Sequence, residues 1–199
     1  IRGEKTSFRN AEPRATIRDP YKPPENRRGG QSPAAATGRL SSGRSVHTLL
    51  PVQNLWDRLP RPIHALAPME DVTDTVFRRV VASCGRPDVF FTEFIHTDIV
   101  LRPRGNRPGV TPRLEFTPLE RPLVAQIWGS DPDSYARASV RLARMGFDGV
   151  DINMGCPVRK IRKKGACSAL IRTPALAAEL VAAAKEGGLP VSVKTRIGF

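Results

Sequence analysis

At 199 residues the chain is long enough to bury one domain-sized core, and no apolar run approaches the roughly 18 residues that a membrane-spanning helix needs. Thirty-two Lys and Arg against 19 Asp and Glu leave a net charge of +13, which favours a polyanionic partner, with nucleic acid foremost, over a charge that serves solubility alone. Three irregularly spaced cysteines, Cys84, Cys156 and Cys167, argue against a disulfide framework and for a reducing cytoplasm, and no Cys/His set has zinc spacing, so no metal is expected.

Residues 1–50 hold 10 basic and 4 acidic side chains among many Pro, Gly, Ser and Ala. They show no sustained apolar period and read as a disordered basic segment. A transit peptide and a translated upstream region are both compatible with that composition. The first residue is Ile1, and Phe199 follows directly on a strand-like run, so both ends read as cut. The folded part is expected over 51–199.

From about Leu49 the texture changes. Ile63 to Met69 reads as a first strand. Thr73 to Ser83 has Val76, Val80 and Val81 at helical spacing and stops at Gly85. Val89 to Phe94 is a second strand and Pro122 to Trp128 a third. Asp131-Pro132 opens a helix that runs to Met145 and ends at Gly146. Gly149 to Met154 is a fourth strand. Thr173-Pro174 opens an Ala-rich helix to about Glu186, stopped by Gly187-Gly188, and Val191 to Ile197 is a fifth strand. Strands alternating with helices predict parallel βα units. No Gly-x-Gly-x-x-Gly follows the first strand, so the expected fold is an α/β TIM (β/α)8 barrel, broken off after about the fifth strand.

Residues i and i+2 of a strand share a face. Val124, Gln126 and Trp128 therefore lie together, as do Asp151 and Asn153, and Ser192, Lys194 and Arg196. Val150, Ile152, Val191, Val193 and Thr195 occupy the opposite faces, against the helices. The polar sets then point to the barrel axis near the carboxyl ends of the strands, where such folds build their sites. Amides, an acid and cations gathered there suit a polar, partly anionic cofactor; a mutually satisfied polar plug is the plainer reading. Lys194 fits either stabilisation of negative charge or Schiff-base chemistry. Gly155-Cys156-Pro157 follows the fourth strand at once, and a thiol there can serve as an acid near neutral pH. Cys167, in a run of small residues, reads as packing. Between the two cysteines, Arg159, Lys160, Arg162, Lys163 and Lys164 form a dense basic cluster suited to clamping a phosphate backbone.

Five segments in this order resemble the flavin-dependent tRNA-dihydrouridine synthases: Ala67 to Asp74, Gln126 to Gly129, Asp151 to Pro157, Lys164 to Leu170 and Val193 to Gly198. The resemblance covers about residues 60–199. It implies an FMN-containing barrel that reduces the C5=C6 bond of particular uridines in tRNA with NADPH as reductant. It further implies that Pro68, Met69, Gln126 and Lys194 hold the flavin ring and that Cys156 protonates C5 while hydride reaches C6. Asn153 and Arg196 would contact the uracil, and Arg159, Lys160, Lys163 and Lys164 the tRNA. The implied protein is a cytoplasmic monomer with no membrane partner. The FMN-phosphate loops and a carboxy-terminal tRNA-binding domain lie outside residues 1–199, so the chain alone is expected neither to close a barrel nor to retain FMN. Two other readings stand beside this one: a flavin-barrel dehydrogenase acting on a small pyrimidine, and a non-catalytic RNA-binding fragment.

Overall fold

Short apolar strands alternating with helices assemble into a parallel sheet in the computed structural model, which describes residues 54–102 and 112–198. All of them belong to one unit of the chain, Thr48–Phe199. The expectation for residues 1–50 lies outside the described residues. In chain order the elements are α1 (Leu55–Arg58), β1 (Ala65–Leu66), α2 (Thr75–Cys84), β2 (Val89–Phe91), β3 (Ile95–His96) and α3 (Thr97–Leu101). They continue with β4 (Leu123–Trp128), α4 (Pro132–Met145), β5 (Gly149–Asn153), α5 (Arg159–Arg162), α6 (Pro174–Lys185) and β6 (Val191–Lys194). The sheet order is β1-β2-β4-β5-β6, with β3 added beside β4, and every pairing is parallel. The sheet curls as a half-barrel and β1 does not pair with β6.

The two faces of the sheet bury different sets. Phe90, Leu123, Ala125, Ile127, Val150 and Ile152 pack outward against Tyr135, Ala138 and Leu142 of α4 and Leu180, Ala183 and Ala184 of α6. Val89, Phe91 and Val124 face inward onto Leu55 of α1, which seals the amino-terminal end. Each large side chain so buried contributes about 1.5–3 kcal/mol. At the other end of the same inward face the apolar layer gives way to Gln126, Asp151 and Asn153, all buried.

The helices follow their local signals. Asp131 caps α4, its carboxylate accepting from the Ser134 amide at 3.1 Å, and Gly146 ends it in the left-handed region at φ 88°. Asp74 caps α2 by accepting from Phe77 N at 2.8 Å, so that helix starts at Thr75, two residues later than the apolar spacing suggests.

Three strands differ from their expected bounds by more than one residue. The first is only Ala65–Leu66: Pro68 follows, and Met69 turns back to bond Thr73 through both its N–H and its carbonyl. The expected strand 89–94 stops at Phe91, and a separate short strand, β3, that was not expected follows at Ile95–His96. At the break, Thr92 N donates to Val124 O, but the Gln126 amide is met by the Thr92 hydroxyl at 3.0 Å in place of a ladder carbonyl. That hydroxyl donates in turn to Glu93 O at 2.7 Å. The last strand ends at Lys194, so Thr195 to Ile197 lie beyond it, and Val193, expected against the helices, is 40% exposed. The described residues thus hold six strands where five were expected.

Candidate active site

Strand pairing sets the site. The register places Gln126 opposite Asp151 and Asn153 opposite Lys194, so the polar side chains of β4, β5 and β6 meet on one face. Three of them form a directed chain. Asn153 Nδ2 donates to Gln126 Oε1 at 3.0 Å, and Gln126 Nε2 donates to Asp151 Oδ2 at 2.6 Å. The Ser192 hydroxyl donates to the other carboxylate oxygen at 2.7 Å. Burial pushes the Asp151 carboxyl above its ordinary range, opposed by the bonds from Ser192 and Gln126 and by the Lys194 charge. An ionised Asp151 can only accept, so it fixes the direction of the chain and the orientation of the Gln126 amide.

The same Asn153 holds the loop that follows. Its Oδ1 accepts the amides of Gly155 and Cys156, both at 3.0 Å, folding Gly155-Cys156-Pro157 back over the end of β5. From the far side, the Ser168 amide donates to Cys156 O at 3.3 Å. Cys156 is half-buried; Cys167 is fully buried, at φ 53°, with its thiol pushed up to about 12 by burial. Cys167 is therefore a packing residue, as its small-residue setting suggested, and Cys156 is the thiol that faces an opening.

That opening has a volume of about 330 Å³. Pro68, Phe94 and Pro157 give it apolar walls, and Gln126, Lys194 and Arg196 give it polar ones. Of the residues singled out in the sequence, Pro68, Gln126, Asn153, Cys156, Lys194 and Arg196 come together here. Met69 does not line the opening, and its amide is taken by the Thr73 hydroxyl at 3.0 Å. Lys160 and Lys164 line a neighbouring cleft, whereas Arg159 and Lys163, exposed on and just after α5, line neither. Thr195, expected on the opposite face, lines the opening because β6 has already ended.

The donor set suits a flat heterocycle rich in acceptors. Gln126 has one amide hydrogen and one lone pair uncommitted, Asn153 has one amide hydrogen, and Lys194 and Arg196 supply positive charge beside apolar walls. A flavin ring fits this chemistry.

Sequence reasoning missed a buried ion pair that ties α2 to the segment before β4. Arg78 and Glu120 are both fully buried, with Nε–Oε2 at 2.7 Å. Arg78 also donates to Thr73 O at 2.6 Å and Glu115 O at 2.7 Å, while Thr75 Oγ1 and the Thr117 amide donate to Glu120. Through Thr73 this network reaches Met69. An Arg on a helix otherwise read as amphipathic gives no signal that its partner lies 42 residues on.

A profile of the family described as Dihydrouridine synthase (Dus) matches residues 65–199. The chain is 55% identical over 147 residues to a probable tRNA-dihydrouridine synthase of Staphylococcus aureus (strain COL), covering 74% of this chain and 44% of that protein. It is 56% identical over 147 residues to probable tRNA-dihydrouridine synthase 2 of Bacillus subtilis (strain 168), covering 74% and 45%. The chain thus spans less than half the length of these curated relatives.

Proposed function

The chain belongs to the dihydrouridine synthase family, and from that premise we propose that it forms part of an FMN-dependent tRNA-dihydrouridine synthase, reducing the C5=C6 bond of uridine in tRNA with NADPH. The single observation that carries this reading is the directed chain Asn153–Gln126–Asp151, which presents one amide face and one thiol loop to the same opening.

Pro68, Gln126 and Lys194 would hold the flavin ring, Gln126 by its remaining amide hydrogen and Lys194 by its charge. When bound there, FMN supplies hydride to C6 of the uracil ring. Cys156 gives the proton to C5, and Asn153 fixes where that proton sits by gripping the loop amides. Arg196, and the free amide hydrogen of Asn153, reach the uracil carbonyls. Lys160, Lys163, Lys164 and Arg159, all exposed, offer charge to the tRNA backbone. A buried uracil must leave its stack to enter so narrow an opening, and loop nucleotides do so at least cost. No described helix is long and apolar enough to cross a membrane, and we place the protein in the cytoplasm, acting as a monomer.

The test is the dihydrouridine content of tRNA in a strain lacking the gene. Wild type is expected to restore the modification and Cys156→Ala to leave it absent or slowed by 10²-fold or more, the ordinary contribution of a positioned acid. Restoration by Cys156→Ala at the wild-type rate would refute the assignment of the acid. A deletion strain with unchanged tRNA would refute the function.

A further inference from the structure

Beside the opening lies a second cleft, of about 440 Å³, that reduction of the uracil ring does not use. Its floor is Trp128, the last residue of β4, with His96 edge-on to the indole at 4.4 Å between ring centroids and 89° between planes. Ile99 adds apolar surface from α3, and Lys160, Lys164 and Arg102 stand around the rim. Asp98 is the only carboxylate among the described lining residues.

His96 itself is biased towards its neutral form. Its Nδ1 accepts the Asp98 amide at 3.1 Å, and burial holds its pKa below the ordinary value, aided by Lys164 and Arg102 and opposed by Asp98. The cleft therefore combines a neutral aromatic floor with a cationic rim. An anion alone has no use for the floor, and an apolar ligand has no use for the rim. A base joined to a phosphate uses both.

Position supports the same chemistry. Trp128 lies two residues beyond Gln126 on one face of β4, about 6.6 Å along the strand. A third cleft shares His96, Ile99 and Trp128 with this one and Phe94 with the opening around Cys156, so the lining is continuous from one to the other. Lys160, on α5, and Lys164, just beyond it, follow Cys156 within eight residues of chain.

We propose that this cleft is a nucleotide subsite that takes the RNA residue adjoining the reduced uridine, with its base on Trp128 and His96 and its phosphate on Lys160, Lys164 and Arg102. The inference rests on the tRNA reading above. The adenosine half of NADPH carries the same base-and-phosphate chemistry, and the experiment separates the two sources.

In the natural-length protein, dihydrouridine formation is measured on a tRNA transcript and on transcripts abasic on either side of the target uridine. Trp128→Ala is expected to lower kcat/KM for tRNA about tenfold, the scale of one base–aromatic stack. One abasic transcript is expected to lose as much with wild type, and no more when it meets Trp128→Ala. KM for NADPH stays unchanged. Trp128→Phe keeps a ring and retains most of the activity, which separates stacking from misfolding. Lys164→Ala, at an exposed position, weakens tRNA binding and flattens its salt dependence. Additive losses with both abasic transcripts would overturn the subsite, as would a raised KM for NADPH with unaltered tRNA kinetics. Wild-type protein that forms no dihydrouridine on any tRNA would instead defeat the function on which the subsite rests.

Discussion

Asn153→Ala removes three hydrogen bonds at once, each 3.0 Å long. The bond to Gln126 matters most for stability. Gln126 is fully buried, so its Oε1 is left without a donor, at about 1–3 kcal/mol. The Gly155 and Cys156 amides border the opening, where water can replace the lost acceptor, and each loses about 0.5 kcal/mol. The expected destabilisation is therefore about 2–4 kcal/mol, read by urea unfolding of the natural-length protein. A second readout is the alkylation rate of Cys156 relative to the exposed Cys84, resolved by peptide mass; it should rise as the loop loosens. Asn153→Asp keeps both loop acceptances but turns an acceptor towards Gln126 Oε1, so it should lose stability while Cys156 alkylation stays near wild type. A loss under about 1 kcal/mol for Asn153→Ala, with the Cys156 rate unchanged, would refute the anchoring role.

Three further outcomes are expected. Arg78→Met leaves Glu120 charged and buried without its cation and should destabilise by about 3–5 kcal/mol in denaturant unfolding, with Arg78→Met/Glu120→Gln recovering part of it; a double variant equal to the sum of the singles would show that the pair is not coupled. The folded-state pKa of Asp151 is raised above the ordinary 3.8, so ionising it opposes folding: its favourable contribution is complete below that value and is lost as pH rises through the raised pKa. Asp151→Asn, whose amide can accept from Gln126 and donate to Ser192, should remove that decline from the stability–pH curve. Gly187→Ala would bring a Cβ to 2.6 Å from the Ser139 backbone carbon of α4 and should destabilise by about 1–3 kcal/mol, seen as a lower Tm.

Much of the architecture is legible in local chemistry. Asp131, Pro132 and Gly146 delimit α4 because caps and stops act within a few residues. The polar face is legible too, since strand alternation alone puts Gln126, Asp151 and Asn153 together once parallel pairing is assumed. What escapes is contact between distant residues. Nothing around Thr92 says that its hydroxyl, and not a carbonyl, will receive the Gln126 amide, so that β2 stops at Phe91 and β3 begins only at Ile95. Arg78 and Glu120 look like surface charges until the fold buries both. Met69 sits in a matching motif, yet its own amide is already bonded to Thr73, a local turn that the motif does not reveal. The Trp128–His96 cleft needs three segments that only the fold brings together.

The directed chain from Asn153 through Gln126 to Asp151 also bears on how such a sequence can drift. Each member presents a donor to one neighbour or an acceptor to the other, so replacing one alone by an apolar side chain strands a buried partner at about 1–3 kcal/mol, a sizeable part of the 5–15 kcal/mol that a folded domain holds in reserve. The three positions are therefore expected to keep hydrogen-bonding side chains together, even though 25 residues separate Gln126 from Asp151.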